Sequence, residues 1–115
     1  MPETDSAVES DLVPAVVHEV VRLIAPHAPA QVTGQLRLIH DLGFHSLALA
    51  ELGFTLEDLF GLDAVTPERA MTLREVGDIV ALIEGALAEG TARRPEVADV
   101  DEFCARYGAV WDPKG

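Results

Sequence analysis

Residues 41–47 read DLGFHSL, and they join a turn to the start of a predicted helix. Gly43 gives this turn the backbone freedom for a close approach to its neighbours, and the apolar residues on either side of it can anchor the turn in the core. Helical spacing of apolar residues follows from Ser46 to about Phe60. Ser46 is therefore expected to stand exposed at the first position of a helix, on a rigid platform.

The chain outside this stretch also has the apolar spacing of amphipathic helices. Three main helices are predicted: from Ser10 or Asp11, either of which can cap it, to Pro26; from Ser46 to Phe60; and from a Thr72–Glu75 capping box to Gly90. A single helical turn is expected over Thr66–Met71. Because the sequence has no β-type alternation, we predict an all-α fold, a short antiparallel helical bundle of three main helices and a one-turn helix.

The length of 115 residues suits one domain with a single core. Residues 1–9 are polar and acidic without a period, and we expect them to form a disordered leader. Residues 10–90 are expected to form this domain, and residues 91–115 a C-terminal tail. Helical spacing in the tail predicts a further short helix over 96–106, which either packs on the bundle or serves a partner.

The net charge is −12, from 8 basic and 20 acidic residues. Such a chain repels nucleic acid and anionic lipid, and it favours partners with basic surfaces. The charge is uneven: residues 46–63 contain four acidic residues and no basic residue. An acidic segment directly after Ser46 is a candidate docking surface.

Several other classes are unlikely on composition. No tract of eighteen apolar residues occurs, so we expect no membrane span. The N-terminus has no signal-peptide pattern and Cys104 is the single cysteine, which predicts a cytoplasmic protein without an internal disulfide. The four histidines lack metal-ligand spacing, so no zinc site is expected.

The order of elements and one motif resemble a known family. Residues 38–47 read LIHDLGFHSL and are followed by Glu51-Leu52 and Leu59-Phe60-Gly61. This pattern resembles the carrier proteins of fatty-acid, polyketide and nonribosomal-peptide pathways, over roughly residues 10–88. The resemblance implies that a separate phosphopantetheinyl transferase attaches 4′-phosphopantetheine to Ser46, and that the thiol of this group holds an acyl or aminoacyl intermediate as a thioester. The chain would then be a freestanding, monomeric and non-catalytic carrier.

The resemblance also implies where partner enzymes dock. The loading and downstream synthase enzymes would contact acidic and exposed apolar residues of the second helix, at the matching positions Leu47, Glu51, Phe54, Glu57 and Asp58. Such contacts would be weak and salt-sensitive. Phe54 could instead belong to the core, and Glu57 and Asp58 could form an ordinary solvated face. The cargo itself could occupy an apolar niche between the helices.

One residue of the motif departs from the family. Carriers usually have an aspartate before the modified serine, whereas this chain has His45. A histidine caps a helix less well, so Ser46, Asp41 or another loop group could cap the second helix instead. Histidine can also carry a positive charge near neutral pH. We therefore hypothesise that His45 lies beside the phosphate of the attached group and affects which transferase accepts the protein; modification rates of His45→Asp test this.

Other functions are compatible with a serine at this position. Serine is a common helix cap, so Ser46 could have only that role. A serine hydrolase would need a Gly-x-Ser-x-Gly elbow between a strand and a helix, and both glycines are absent around Ser46. A third alternative is an unmodified helical interaction module. The lower acidic density of the second helix, together with the leader and the tail, favours a polyketide or nonribosomal-peptide carrier, with a housekeeping fatty-acid carrier as the alternative.

Overall fold

A computed structural model describes residues 7–63 and 72–111 of the chain. In these two ranges the regular structure is helical: a 3₁₀ turn over Ser10–Leu12, α1 over Val13–Ile24, α2 over Ser46–Phe60, α3 over Val76–Glu89 and α4 over Val97–Arg106. This confirms the predicted all-α bundle and the additional C-terminal helix. The predicted helical turn over Thr66–Met71 lies outside the described residues.

Backbone hydrogen bonds between the loops fix the directions of the helices. The N–H of His27, just after α1, donates to the carbonyl of Leu42, just before α2, at 3.0 Å. At the other end of the bundle the N–H of Arg93, after α3, donates to the carbonyl of Phe60 at 2.7 Å. The helices α2 and α3 therefore run in the same direction, and α1 runs opposite to both.

The core forms around α1, which buries one broad apolar stripe. Its buried residues are Val13, Val16, Val17, Val20, Val21 and Ile24. Full burial of one such side chain contributes roughly 1.5–3 kcal/mol. Because α2, α3 and α4 all pack on this helix or on residues beside it, α1 is the centre of the bundle.

The start of α1 differs from the prediction. Ser10 and Asp11 were expected to cap the helix, but they lie in the 3₁₀ turn, and no side-chain cap hydrogen bond is formed there or at the start of α1. Pro14 lies in the first turn of α1, as expected for a residue without an N–H donor. The capping prediction is therefore wrong, because a continuous backbone turn leads into the helix in place of a side-chain cap.

The start of α3 also differs. The predicted capping box used Thr72 and Glu75, whereas the N-cap of α3 is Glu75 and its helical residues begin at Val76. The Asp78 carboxylate accepts hydrogen bonds from the backbone N–H groups of Arg74 at 2.9 Å and Glu75 at 3.0 Å. The capping box is thus shifted by three residues. Glu75, and not Thr72, is the N-cap residue, and the carboxylate that accepts the backbone N–H of the N-cap residue is that of Asp78, and not that of Glu75.

We expect Asp78→Ala to lower the free energy of unfolding by about 1 kcal/mol, because two backbone N–H groups lose their acceptor. Urea denaturation at pH 7 measures this change. Glu84→Ala is the control, since Glu84 is an exposed acidic residue in the middle of the same helix. An equal effect of the two substitutions would contradict this account of the cap.

The same hydrogen bonds make the difference in stability between the native protein and Asp78→Ala depend on pH. Hydrogen bonds from the backbone N–H groups of Glu75 and Arg74 lower the pKa of Asp78 below its ordinary value. A carboxyl whose pKa is lower in the folded state stabilises the fold above its unfolded pKa, about 3.9, and loses this contribution as the pH falls through the folded value. The stability difference between the native protein and Asp78→Ala should therefore close as the pH falls below about 4.

The N-terminal end of the described chain packs on the segment just before α4, which corrects the prediction for residues 7–9. Residues 7–9 join the fold: Val8 is buried, and its N–H donates to the carbonyl of Pro95 at 2.8 Å. Ala7 forms an isolated antiparallel bridge with Glu96. This contact lies directly before α4, so it fixes the position where that helix begins.

The C-terminal helix packs on the bundle, which is one of the two roles considered for it. Val100, Phe103 and Cys104 of α4 are buried, and α4 contacts α1. The predicted stripe had Val97 and Tyr107 in place of Phe103, but both of these are partly exposed. The described part of the tail, 91–111, therefore contributes to the same core as the rest of the described chain.

Candidate functional site

The turn before α2 is closed by a series of backbone hydrogen bonds. The carbonyl of Arg37 accepts the N–H groups of Asp41 and Leu42 at 3.0 and 3.1 Å, and the carbonyl of Leu38 accepts that of Phe44 at 3.0 Å. Leu42 and Phe44 are both buried. The turn is thus anchored in the core on both sides of Gly43, as predicted.

Gly43 is required at its position for two reasons. Its φ is +73°, in the left-handed region that favours glycine. A Cβ atom at this position would also lie 2.3 Å from Cδ2 of His27. Gly43 therefore lets the segment after α1 approach the turn that leads into the site.

Asp41 is committed to the turn and does not cap α2. Its carboxylate accepts the backbone N–H of Arg37 at 2.7 Å and also pairs with the Arg37 guanidinium at 3.4 Å. The hydrogen bond from the Arg37 backbone lowers the pKa of the Asp41 carboxyl, with a further contribution from the side chain. Asp41 therefore remains ionised and fixes the turn. Of the residues considered as a cap for the second helix, Asp41 is thus excluded.

His45 and Ser46 occupy the start of α2. His45 is the N-cap residue, with extended backbone at φ −127° and ψ 179°, and its side chain forms no capping hydrogen bond. Ser46 is the first helical residue and is exposed. Its role is therefore not that of the N-cap. The first N–H groups of a helix have no intrahelical partner and carry a partial positive charge, so they suit a phosphate on the serine beside them.

The predicted docking residues separate into two groups. Leu47, Glu51, Phe54 and Asp58 lie within about 60° of one another around the helix axis, and all four are exposed; we call these four residues the α2 face. Leu47 is 77% and Phe54 71% exposed, so Phe54 is not part of the core. Glu57 is half-buried and lies about 90° from the middle of the α2 face.

A cavity of about 750 Å³ lies between α2, α3 and the loop over 37–40. Most of its lining is apolar, including Leu38, Leu49, Leu52, Leu56, Ile79 and Ile83. Glu57 and Gly53 line it from α2, and the exposed Arg37, His40 and Arg74 also line it. The nearest lining residue of α2, Leu49, is one turn from Ser46. The family resemblance implied such an apolar niche, but the sequence does not show which residues line it, because their spacing is the same as that of core residues.

One contact at the site was not predicted. The hydroxyl of Tyr107, just after α4, donates a hydrogen bond to Oε2 of Glu51 on the α2 face. Burial raises the pKa of Tyr107 to about 12, and the hydrogen bond to Glu51 contributes in the same direction. The two residues are 56 positions apart in the chain, so no local sequence pattern connects them.

Within residues 7–63 and 72–111, no group of three or more His, Cys, Asp or Glu side chains is arranged to hold a metal ion. None of the helices in these parts is long and apolar enough to cross a membrane.

Comparison with known proteins places the chain in a family. The family model for the phosphopantetheine attachment site matches residues 15–83, which is more than half of the chain. The chain therefore belongs to the phosphopantetheine-binding carrier proteins, whose cofactor is covalently attached 4′-phosphopantetheine. Its fold is the helical bundle of the acyl carrier proteins.

Relatives with curated names are acyl carrier proteins. That of Rhodococcus erythropolis (strain PR4) is 36% identical over 72 residues, covering 63% of this chain and 78% of the relative. That of Helicobacter pylori (strain G27) is 42% identical over 55 residues, 48% of this chain and 69% of the relative. The meromycolate extension acyl carrier protein of Mycolicibacterium aurum is 32% identical over 66 residues, 57% of this chain and 67% of the relative. No solved structure gives a significant match.

Proposed function

We propose that this carrier protein holds acyl intermediates as thioesters on a phosphopantetheine group attached to Ser46. The observation that carries the proposal is the exposed Ser46 at the start of α2, one helical turn from an apolar cavity of about 750 Å³. The serine is held by a turn anchored at Leu42 and Phe44. A fixed attachment point beside an apolar cavity suits a protein that presents a cargo and shelters it between reactions.

The residues around Ser46 fit the attached group. The free N–H groups at the start of α2 would face its phosphate, and the extended His45 leaves them unblocked by a side-chain cap. When bound, the group supplies a thiol that holds the acyl chain. Within the described residues no side chain forms a hydrogen bond with the Ser46 hydroxyl that could activate it, and an external transferase would supply the base and the Mg²⁺-bound coenzyme A. The chain contributes position and shelter, not catalysis.

The cavity favours an acyl cargo over an aminoacyl cargo. Its lining is dominated by leucine and isoleucine side chains from both helices. Each methylene group that leaves water for such a site gains about 0.8 kcal/mol, whereas the charged amino group of an aminoacyl cargo would be costly to bury. The curated relatives are also named acyl carriers. These observations support a fatty-acid or polyketide pathway in preference to a nonribosomal-peptide pathway.

Partner enzymes would dock beside the serine. The α2 face combines two exposed apolar residues with two exposed carboxylates. A transferase and the acyl-loading and synthase enzymes would each need a matching apolar patch with basic residues around it. Contacts of this kind are weak and depend on salt, as a carrier that visits several enzymes in turn requires.

The proposal predicts that the cargo stabilises the protein in proportion to its length. A broad-specificity transferase can load the chain from acyl-coenzyme A of increasing chain length, and thermal unfolding then measures stability. We expect the free energy of unfolding to rise by up to about 0.8 kcal/mol with each added methylene until the cavity is full, and the melting temperature to rise with it. An aminoacyl cargo should give no such rise.

Two glycines provide matched variants for this experiment. Gly53 lines the cavity, Gly85 lies on the exposed side of α3, and a Cβ atom at either position meets no atom within 4 Å. Gly53→Leu should fill part of the cavity and flatten the dependence on chain length. Gly85→Leu should leave that dependence unchanged. A flat response in the native protein, or equal slopes in both variants, would contradict an acyl chain in this cavity.

A further inference from the structure

The segment after α4 reaches the docking side of α2. Tyr107 donates its hydroxyl hydrogen to Glu51 of the α2 face. The centre of its ring lies 5.0 Å from that of Phe103, which is buried, so the tyrosine ring packs against a residue of the core. Both aromatic residues lie outside the 15–83 segment that the family model matches. An element beyond the family domain therefore positions a residue of the proposed docking surface.

The α2 face has different neighbours on its two sides. Gly53 and Glu57, on one side, line the cavity. Glu51 lies on the side of the face away from Gly53 and Glu57, and it is the residue that contacts Tyr107. The α2 face is thus bounded by Gly53 and Glu57 on one side and by the Tyr107 contact at the end of α4 on the other.

The α2 face is too small to serve as a complete interface. From Leu47 to Asp58 it extends about 16 Å, and a helix is about 10 Å wide, which gives an area on the order of 160 Å². Even weak protein complexes bury several hundred Å² on each partner. An enzyme that docks on α2 must therefore also contact surfaces beside it.

The end of α4 offers such a surface. Val110 is 84% exposed, and Tyr107 is 39% exposed despite its contacts. They are three positions apart, so their Cα atoms lie within about 11 Å of each other. The next residue, Trp111, packs partly against the core, which keeps this segment on the bundle. An exposed valine this close along the chain to the Tyr107–Glu51 contact can extend the apolar contact area of the α2 face.

We propose that Tyr107 and Val110 join the α2 face in one docking surface, recognised by an enzyme patch that is apolar at its centre and basic at its rim. The proposal rests on the proposed function, since docking must bring an enzyme to Ser46. The basic rim follows from charge: residues 46–63 contain four carboxylates and no basic side chain. The Tyr107 hydrogen bond holds the Glu51 carboxylate in one position, so less side-chain freedom is lost when a partner binds.

The transferase that modifies Ser46 is the probe for this surface. Steady-state modification with coenzyme A gives kcat and KM for the carrier protein as substrate. Val110→Lys places a positive charge before a basic partner and should raise KM about fivefold or more with kcat unchanged. Tyr107→Phe keeps the ring on Phe103 but removes the hydroxyl, and it should raise KM about two- to fivefold.

Val97→Lys is the matched control. It makes the same change of residue and charge at a partly exposed position, at the opposite end of α4, about 15 Å from Tyr107. Its KM should stay within about twofold of the native value. Equal KM values for Val110→Lys and Val97→Lys, with Tyr107→Phe unchanged, would overturn this inference while modification of Ser46 still supports the proposed function. Absence of any modification of the native protein would overturn both.

Discussion

Replacing Leu42 by alanine is expected to lower the free energy of unfolding by about 2–5 kcal/mol, the range for truncating a fully buried leucine. Leu42 is 0% exposed, and its main chain joins two parts of the site. Its N–H donates to the carbonyl of Arg37 at 3.1 Å and its carbonyl accepts the N–H of His27 at 3.0 Å. Because small domains are stable by only about 5–15 kcal/mol, this loss is a large part of the total.

Leu47→Ala is the matched control for this prediction. It makes the same substitution five positions along the chain, but Leu47 is exposed at the start of α2, so stability should change by no more than about 0.5 kcal/mol. Urea denaturation of both variants gives the comparison. The affinity for the transferase should show the opposite order: Leu47→Ala should weaken binding more than Leu42→Ala does. Equal losses of stability would contradict the assignment of Leu42 to the core and Leu47 to the surface.

Helices whose signals are local could be predicted from the sequence. The helix from Ser46 to Phe60 is found with the predicted bounds, and it ends at Gly61 with φ +62°. The C-terminal helix ends at the predicted Arg106. In both cases the apolar spacing and the terminal residues lie within one segment, so no distant contact is needed to define the element.

Helix starts were harder to predict because several nearby residues can cap the same helix. Thr72 and Glu75 matched a capping pattern, yet Asp78 accepts the backbone hydrogen bonds in the structure. Ser10 and Asp11 looked equally suitable at the start of the first helix, but that helix begins through a 3₁₀ turn without a side-chain cap. Sequence alone does not rank such alternatives, since their energies differ by about 1 kcal/mol or less.

Contacts between distant parts of the chain could not be predicted. The exposure of Ser46 and the need for Gly43 follow from a short motif, and the structure agrees with both. The pairing of Tyr107 with Glu51 depends on where α4 packs. Burial of Val8 likewise depends on its contact with Pro95. A polar, acidic leader carries no sign that one valine within it will reach the core.

The largest expected effect on function is that of Ser46→Ala, which should abolish attachment of the phosphopantetheine group. The hydroxyl of Ser46 is the acceptor in the proposed reaction, and no other group at the start of α2 can replace it. Because Ser46 is exposed and is not the N-cap residue, the variant should unfold within about 0.5 kcal/mol of the native protein. A loss of modification can then be assigned to the missing hydroxyl and not to a loss of fold.

The most direct test is the intact mass of the native protein and of Ser46→Ala after incubation with coenzyme A and a broad-specificity transferase. Ser6 and Ser10 are the other serines of the chain, and they serve as internal controls because both are retained in the variant. We predict a gain of one phosphopantetheinyl group in the native protein and no gain in Ser46→Ala. The same gain in both proteins, or no gain in either, would contradict the assignment of Ser46 as the attachment site.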